Sequence, residues 1–269
     1  MPSSLDSKHI VLGVSGSIAC HKAVDLASKL VQQGALVDVV MTRAASNFVT
    51  PLAFQAITHR PVLSDIFNPQ TGSAIDHVEI AMRADVVVVA PATANIISKM
   101  SSGLADDALT TTVLATQAPI IVCPAMDGYM YGNPATKENI ERLHRRGLMI
   151  AGPSEGHLAS GIEGKGRLLE SSEIIGHIRL VLGKNGDLAN RKVVVTAGGT
   201  QEALDPVRFL GNRSSGKMGY SLAEAARDRG ASTVIVTAPN RLPDPVGTRV
   251  EQVVTAEEMS AALAIECDD

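Results

Sequence analysis

Tryptophan is absent from this 269-residue sequence, and aromatic residues make up only 3% of it. Single-stranded nucleic acid binds by stacking on such rings, so their scarcity argues against that partner. Cysteine is also scarce. Cys20, Cys123 and Cys267 are scattered and form no CxxC pair. A sparse, odd set fits a reducing cytoplasm and argues against a disulfide framework or a zinc site. The formal net charge of −4 supplies no broad basic field for nucleic acid or an anionic membrane. The longest apolar runs, such as residues 86–90 and 120–123, are too short to span a bilayer. The start, MPSSLDSK, lacks the apolar core of a signal peptide. A cytoplasmic protein with no nucleic-acid or membrane partner is expected.

What is present is ordinary for a globular protein: 45% apolar and 19% charged residues. The length allows one large domain or two smaller ones. Short β-branched runs alternate with helical patterns. Residues 9–14 read as a strand. From Ala19 the apolar positions Ala23, Leu26, Ala27, Leu30 and Val31 recur at helical spacing, and Gly34 is placed to end that helix. Residues 37–41, 85–90 and 119–123 read as further strands. After Asp85 at the start of the first, the last two are apolar runs, as expected of parallel strands buried on both faces. The β-α-β-α order implies a doubly wound α/β fold with a parallel sheet, flavodoxin-like or Rossmann-like. After Leu182 a polar stretch, GKNGDLAN, has linker composition. The pattern then restarts as a second Rossmann-like α/β unit: a strand at 192–196, a helix at 220–229 ended by Gly230, and a strand at 232–237. Only those two strands are legible there. The expected organisation is a domain at 1–183, a linker at 184–191 and a partial domain at 192–269.

Several segments carry chemistry. The first βα turn, Gly13-Val14-Ser15-Gly16-Ser17-Ile18-Ala19, is either a plain tight turn or a phosphate cradle. In the second case its glycines let the backbone approach an anion at a helix N-terminus. A dinucleotide site would add an acidic residue at the end of the second strand, which here ends Met41-Thr42. Asp38 lies within that strand. A hydroxyl suits a terminal phosphate, so the turn favours a mononucleotide such as FMN over NAD. Ala90-Pro91-Ala92-Thr93-Ala94-Asn95 leaves the third buried strand, where open α/β sheets bind ligands, and Asn95 both donates and accepts hydrogen bonds. Gly103 to Asp107 reads as a ligand turn or a helix cap. Cys123-Pro124-Ala125-Met126-Asp127, running on to Asn133-Pro134, suits an irregular pocket wall or a core-filling loop. Cys123 itself reads as a buried thiol. His77, in Ile75-Asp76-His77-Val78-Glu79, is either structural or an acid/base group. The glycine-punctuated stretch from Gly156 to Arg167 is either a surface loop or a mobile flap.

Together these segments resemble the bacterial bifunctional phosphopantothenoylcysteine decarboxylase/phosphopantothenate–cysteine ligase family of coenzyme A biosynthesis. The matching residues are Gly16-Ser17-Ile18-Ala19, Thr42 with Ala45, Phe48 and Val49, His77, Pro91-Ala92-Thr93-Ala94-Asn95, Gly103 to Asp107, and Pro124-Ala125-Met126 with Asn133-Pro134. The resemblance implies a homo-oligomeric FMN flavoprotein, a trimer or higher, with sites built between subunits. Gly16, Ser17, Ile18, Thr42, Phe48, Pro91, Ala92, Thr93, Asn95 and Met126 would hold FMN. His77, Asn95, Asp127 and Ser160 would be catalytic, with no metal in the first domain. The implied reaction oxidises the cysteine end of 4′-phosphopantothenoylcysteine, releases CO2, and reduces the resulting ene-thiol to 4′-phosphopantetheine.

Two residues depart from the family's pattern. Asp127 stands where PAMN has its Asn, which contacts the substrate carboxylate; a charged Asp would repel that carboxylate unless protonated or turned away. Ser160 stands where the flap motif LACG has its Cys, and an alcohol is a poorer proton donor than a thiol. The expectation is that oxidation and decarboxylation survive, and that the last reduction is slow or uses another donor.

The second unit carries AGGTQEALDPVRFLGNRSSGKMG, from Ala197 to Gly219. Its GxxxxGK spacing is that of a P-loop, but Met218 replaces the Ser or Thr that would hold Mg2+, and no clear strand leads into it. A Walker ATPase is rejected. Gly198, Gly199, Thr200, Asp205, Asn212, Ser214, Ser215, Gly216 and Lys217 match the family's ligase half, which uses CTP, with Mg2+, to activate phosphopantothenate. The family's later AAVADY-like and lysine-rich segments are not in the sequence, so no ligase activity is expected from these residues alone. Two other readings stand beside the decarboxylase: a related flavoprotein acting on another cysteine-ended substrate such as a peptide, and a non-catalytic flavin-binding subunit.

Overall fold

The computed structural model describes residues 4–66 and 76–267. Ile75, quoted beside His77, lies outside them, as do residues 1–3 and 268–269. The chain divides into two compact units, 1–178 and 179–269.

The first unit runs β1 (His9–Val14), α1 (Cys20–Gln32), β2 (Leu36–Met41), α2 (Pro51–Thr58), β3 (Val62–Leu63), α3 (Asp76–Arg83), β4 (Val86–Ala92) and α4 (Ala94–Ser102). It continues through α5 (Ala108–Ala115), β5 (Ile120–Pro124), α6 (Gly128–Gly132), α7 (Pro134–Arg145), β6 (Met149–Ile150), β7 (Ser154–His157) and β8 (Glu163–Arg167). Helix α8 (Ser171–Gly183) spans the division between the units. The six-stranded sheet has the order β3-β2-β1-β4-β5-β6 and is parallel throughout. Strand β4 is buried along its whole length, which only a sheet covered on both faces allows. Helix α1 turns one stripe inward, Cys20, Ala23, Leu26, Ala27 and Leu30, and Gly34 at φ +85° stops the chain from continuing it. The strand order reverses between β1 and β4. There the crossovers leave toward opposite faces and open a crevice beyond the carboxyl ends of the strands.

Asp38, in the middle of β2, is buried at 2% exposure and serves the fold. Arg60 Nε lies 2.7 Å from its Oδ1, and Arg83 grips both carboxylate oxygens at 2.8 and 2.9 Å. This is why an acid tolerates a core strand position: its charge is paired and its lone pairs are used.

Residues 184–191 form turns, with the Leu188 N–H donating to the Arg229 carbonyl at 3.0 Å. The second unit has β9 (Lys192–Ala197), a small antiparallel hairpin of β10 (Gln201–Ala203) and β11 (Phe209–Gly211), α9 (Lys217–Arg227), β12 (Ser232–Thr237), β13 (Thr248–Gln252) and α10 (Ala256–Cys267). Its parallel sheet has three strands, ordered β13-β12-β9, where two were expected. Strand β13 escapes a search for apolar runs because Arg249 and Glu251 interrupt it. Among the described residues, no helix is long and apolar enough to cross a membrane.

Candidate functional site

The crevice at the β1/β4 reversal holds a cavity of about 510 Å3, within the size range of small-molecule and cofactor sites. Gly16, Ser17, Thr42, Thr93, Asn95 and Met126 line it. Gly16 is required sterically: a Cβ there would lie 2.6 Å from Ala44 Cβ, so only glycine lets the β1–α1 turn pass the segment after β2. Helix α1 then begins with no side-chain cap and no acidic residue in its first turn, leaving the positive end of its dipole unneutralised toward the cavity. Buried Ser15 ties the two sides of the crevice together. Its hydroxyl donates to the Pro91 carbonyl at 2.7 Å and accepts from the Thr93 N–H at 3.0 Å. Thr93 in turn caps α4, accepting from the Ile96 N–H. Thr42 donates its N–H to the Val14 carbonyl, and its hydroxyl oxygen accepts from the Ala45 N–H at 3.3 Å.

Lys99 and Asp107 also line this cavity. Lys99 Nζ lies 2.6 Å from Asp106 and 3.0 Å from Asp107, and the Asp106 carboxylate foremost raises the lysine's pKa. Asp107 caps α5 in a capping box with Thr110. Burial pushes its carboxyl upward, but the Thr110 N–H, Lys99 and the Thr110 hydroxyl outweigh that and hold it below the usual range. The segment from Gly103 to Asp107 thus both caps a helix and faces the cavity.

A second cavity, about 530 Å3, adjoins the first and shares Ser17, Ala125 and Met126 with it. Ile18, Asp127 and Ser160 line it too. The glycine-punctuated stretch is no open loop here: β7 and β8 form an antiparallel hairpin over the cavity, with Ser160 in its turn. The Met126 N–H donates to the Gly166 carbonyl at 2.9 Å, and a Cβ on Gly166 would strike the Met126 carbonyl oxygen. Asp127 caps α6 through the Tyr129 N–H at 2.9 Å. Its carboxyl is held below the usual range, first by the Ser160 hydroxyl and then by that N–H. The two positions that depart from the family's pattern therefore touch, and Asp127 is ionised rather than protonated.

Other expected site residues lie elsewhere. His77 is half-buried on α3 and lines neither cavity. Phe48 is 51% exposed and also lines neither. Pro91 and Ala92 are buried beneath the crevice floor, their carbonyls bonded to Ser15 and to the Ala125 N–H. Cys123 ends fully buried, and burial pushes its thiol up to about 12, so it offers no thiolate. Sequence reasoning missed His21 and Lys22, which line the second cavity from the first turn of α1. Their position just past the glycine turn was the available signal.

In the second unit the two halves of the glycine motif meet. A Cβ at Gly199 would lie 2.6 Å from the Asn212 carbonyl oxygen, and the Ser214 hydroxyl accepts from the Gly216 N–H at 3.4 Å. Gly198 and Gly216 take left-handed φ values of +82° and +74°. Gly216 is the N-cap of α9, which Lys217 opens. Thr200 is half-buried beside Gly199, whereas Ser215 and Lys217 are exposed. Asp205 is engaged locally: Arg208 foremost, then the Val207 and Arg208 N–H groups, hold its carboxyl low.

Residues 1–183 match the flavoprotein family model, and residues 188–269 match that of the DNA/pantothenate metabolism flavoprotein C-terminal domain. The chain belongs to the flavoprotein family. This flavoprotein is 46% identical over 260 residues to the coenzyme A biosynthesis bifunctional protein CoaBC of Vibrio cholerae, covering 97% of the chain and 65% of that relative. It thus spans about two thirds of the relative's length. Among solved structures, it is similar to a cysteine-to-serine mutant of PPC decarboxylase complexed with pantothenoylaminoethenethiol, with a TM-score of 0.59 and 30% identity, covering 65% of this chain and 97% of that one. It is also similar to the FMN-dependent cysteine decarboxylase SpaF, with a TM-score of 0.57 and 28% identity, covering 67% and 97%.

Proposed function

We propose that residues 1–183 form an FMN-dependent decarboxylase that converts 4′-phosphopantothenoylcysteine to 4′-phosphopantetheine in the cytoplasm. The observation that carries this is the pair of joined cavities at the sheet's reversal point, one shaped by a glycine turn and an uncapped helix N-terminus, the other roofed by a hairpin. The residues fit a flavin mononucleotide: the close approach at Gly16 leaves the turn's backbone open to a phosphate, and no acid at the end of β2 awaits a second ribose. Bound FMN supplies a two-electron acceptor for the cysteine end of the substrate and returns those electrons later.

The chain's own residues do the rest. Gly16, Ser17 and the first turn of α1 hold the phosphate, and Thr42 supplies a hydroxyl beside it. Asn95 offers both a donor and an acceptor where polar groups must be read. Met126 forms an apolar wall common to cofactor and substrate. The β7–β8 hairpin keeps water from the reacting end. Asp127, ionised and turned to Tyr129 and Ser160, holds the hairpin's tip rather than the substrate carboxylate. His77 fits a site built between copies, in which a homo-oligomer of three or more chains brings it to a neighbour's cavity. Residues 192–269, joined through 184–191, are the nucleotide-binding part of a phosphopantothenate–cysteine ligase taking CTP and Mg2+, with Gly198 to Thr200 and Asn212 to Lys217 at the triphosphate.

Reconstituting the purified chain with FMN, adding 4′-phosphopantothenoylcysteine, and following CO2 and product mass tests the reading. CO2 release with loss of the carboxylate mass is expected. A chain that ignores this substrate but decarboxylates a peptide ending in cysteine would favour the second reading, which the likeness to SpaF supports.

A further inference from the structure

The second cavity needs a group that can hand over a proton near neutral pH, and the charged and polar side chains lining it can be taken in turn. They come from the β1–α1 turn (Ser17, an alkyl alcohol and so a weak acid), α1 (His21, Lys22), the loop after β5 (Asp127), β7 and its turn (His157, Ser160) and β8 (Arg167). Asp127 is ionised and carries no proton to give. The Ser160 hydroxyl is committed to Asp127, and an alkyl alcohol is a weak acid in any case. Lys22 and Arg167 are both held by Glu170, at 2.9 and 2.7 Å, and ammonium and guanidinium groups keep their protons at neutral pH. His21 turns Nδ1 back to the Ile18 carbonyl of its own turn at 2.9 Å. His157 is different. It stands on the hairpin, paired across the ladder with Glu163, and its Nε2 lies 3.0 Å from Glu163 Oε1. An imidazole beside a carboxylate is an acid/base pair suited to this pH range.

We propose that His157, oriented by Glu163, is the general acid of the second cavity and protonates the ene-thiol carbon in the last step. The assignment rests on the decarboxylase reading above. The electron balance closes without an outside reductant. The hydride equivalent removed from the substrate in the first oxidation returns to one carbon of the ene-thiol. The proton for the adjacent carbon leaves Nδ1 of the imidazolium, while Nε2–H stays donated to Glu163. The C=C bond becomes a single bond, the product is the saturated thiol, and the neutral imidazole takes a new proton from water. Its side chain, 82% exposed, has that access.

The test uses the full chain loaded with FMN, 4′-phosphopantothenoylcysteine, and separation of the saturated thiol from the ene-thiol two hydrogens lighter. His157→Gln is expected to lower the ratio of saturated thiol to ene-thiol about a hundredfold, and Glu163→Gln to lower it about tenfold. Carbethoxylation of His157, read by mass spectrometry without turnover, is expected to slow when 4′-phosphopantetheine is bound. A wild-type ratio in His157→Gln, the same loss in His21→Gln instead, or carbethoxylation indifferent to product would each overturn the assignment to His157. No CO2 from the wild-type chain would overturn the decarboxylase reading and this assignment with it; CO2 release with an unchanged product ratio overturns the assignment alone.

Discussion

The chain has two glycine-rich turns that open a helix beside a parallel sheet, and they end in different surroundings. In the first, residues 13–19 run into α1 and face segments from β2, β4 and β5, so that Gly16, Thr42, Thr93, Asn95 and Met126 wall one cavity. In the second, Asn212 and Ser214 fold back on Gly199 and Gly216, but residues 211–215 are exposed. A glycine turn supplies backbone donors and room for an anion. What makes a closed site of it is the set of crossovers around it, and these differ between the two units.

Four substitutions sharpen that contrast. The largest effect is expected from Asp38→Asn, which leaves Arg60 and Arg83 facing a core position without their anion. A loss of about 3 kcal/mol is expected for the first unit, measured by urea denaturation. Removing the exposed partner of Arg229 with Asp187→Asn should leave stability of the second unit unchanged within error, because both side chains are largely in water. Equal losses in the two units would end the distinction. Next, Gly16→Val overpacks the turn against Ala44 by about 2–3 kcal/mol, so FMN affinity should fall about a hundredfold in a fluorescence titration. Gly216→Ala strains a left-handed residue by about 1 kcal/mol and should lower thermal stability while leaving FMN titration as it was. If Gly216→Ala weakens FMN as much, the two turns do not serve separate sites.

The smallest effect is expected from Asp107→Ala, which removes the cap of α5 and costs about 1 kcal/mol at neutral pH. The folded chain holds this carboxyl below its unfolded value, so its stabilisation is present above about pH 4 and fades as pH falls through the depressed folded pKa. The stability gap between wild type and variant should therefore narrow below about pH 4 in acid titrations followed by circular dichroism. A gap that widens there would contradict the assigned ion pair with Lys99.

Much of the lining of the candidate site was legible because each contributing segment sits just past a strand. Gly16 follows β1, Thr42 follows β2, Asn95 follows β4 and Met126 follows β5, and small or polar residues interrupt the apolar pattern at each point. The role of Asp38 was not legible, since nothing in LVDVVM says that two arginines, at 60 and 83, come to meet it. Strand β13 was not legible either, because charged residues at Arg249 and Glu251 hide a half-buried strand from an apolar-run criterion. The contact of Ser160 with Asp127, and of His157 with Glu163, depends on a hairpin whose glycines read as loop.

From the sequence alone come the α/β alternation, the parallel doubly wound class, the place of both glycine turns and the family resemblance. These follow from local periodicity, backbone freedom at glycine and short motifs, all of which act over a few residues. Only the tertiary structure decided which of these motifs share a cavity, that His77 and Phe48 lie outside it, and that Asp127 stays ionised against Ser160. Those outcomes depend on crossovers that bring together residues as far apart as Ser15 and Pro91, and on burial and partners that no spacing encodes.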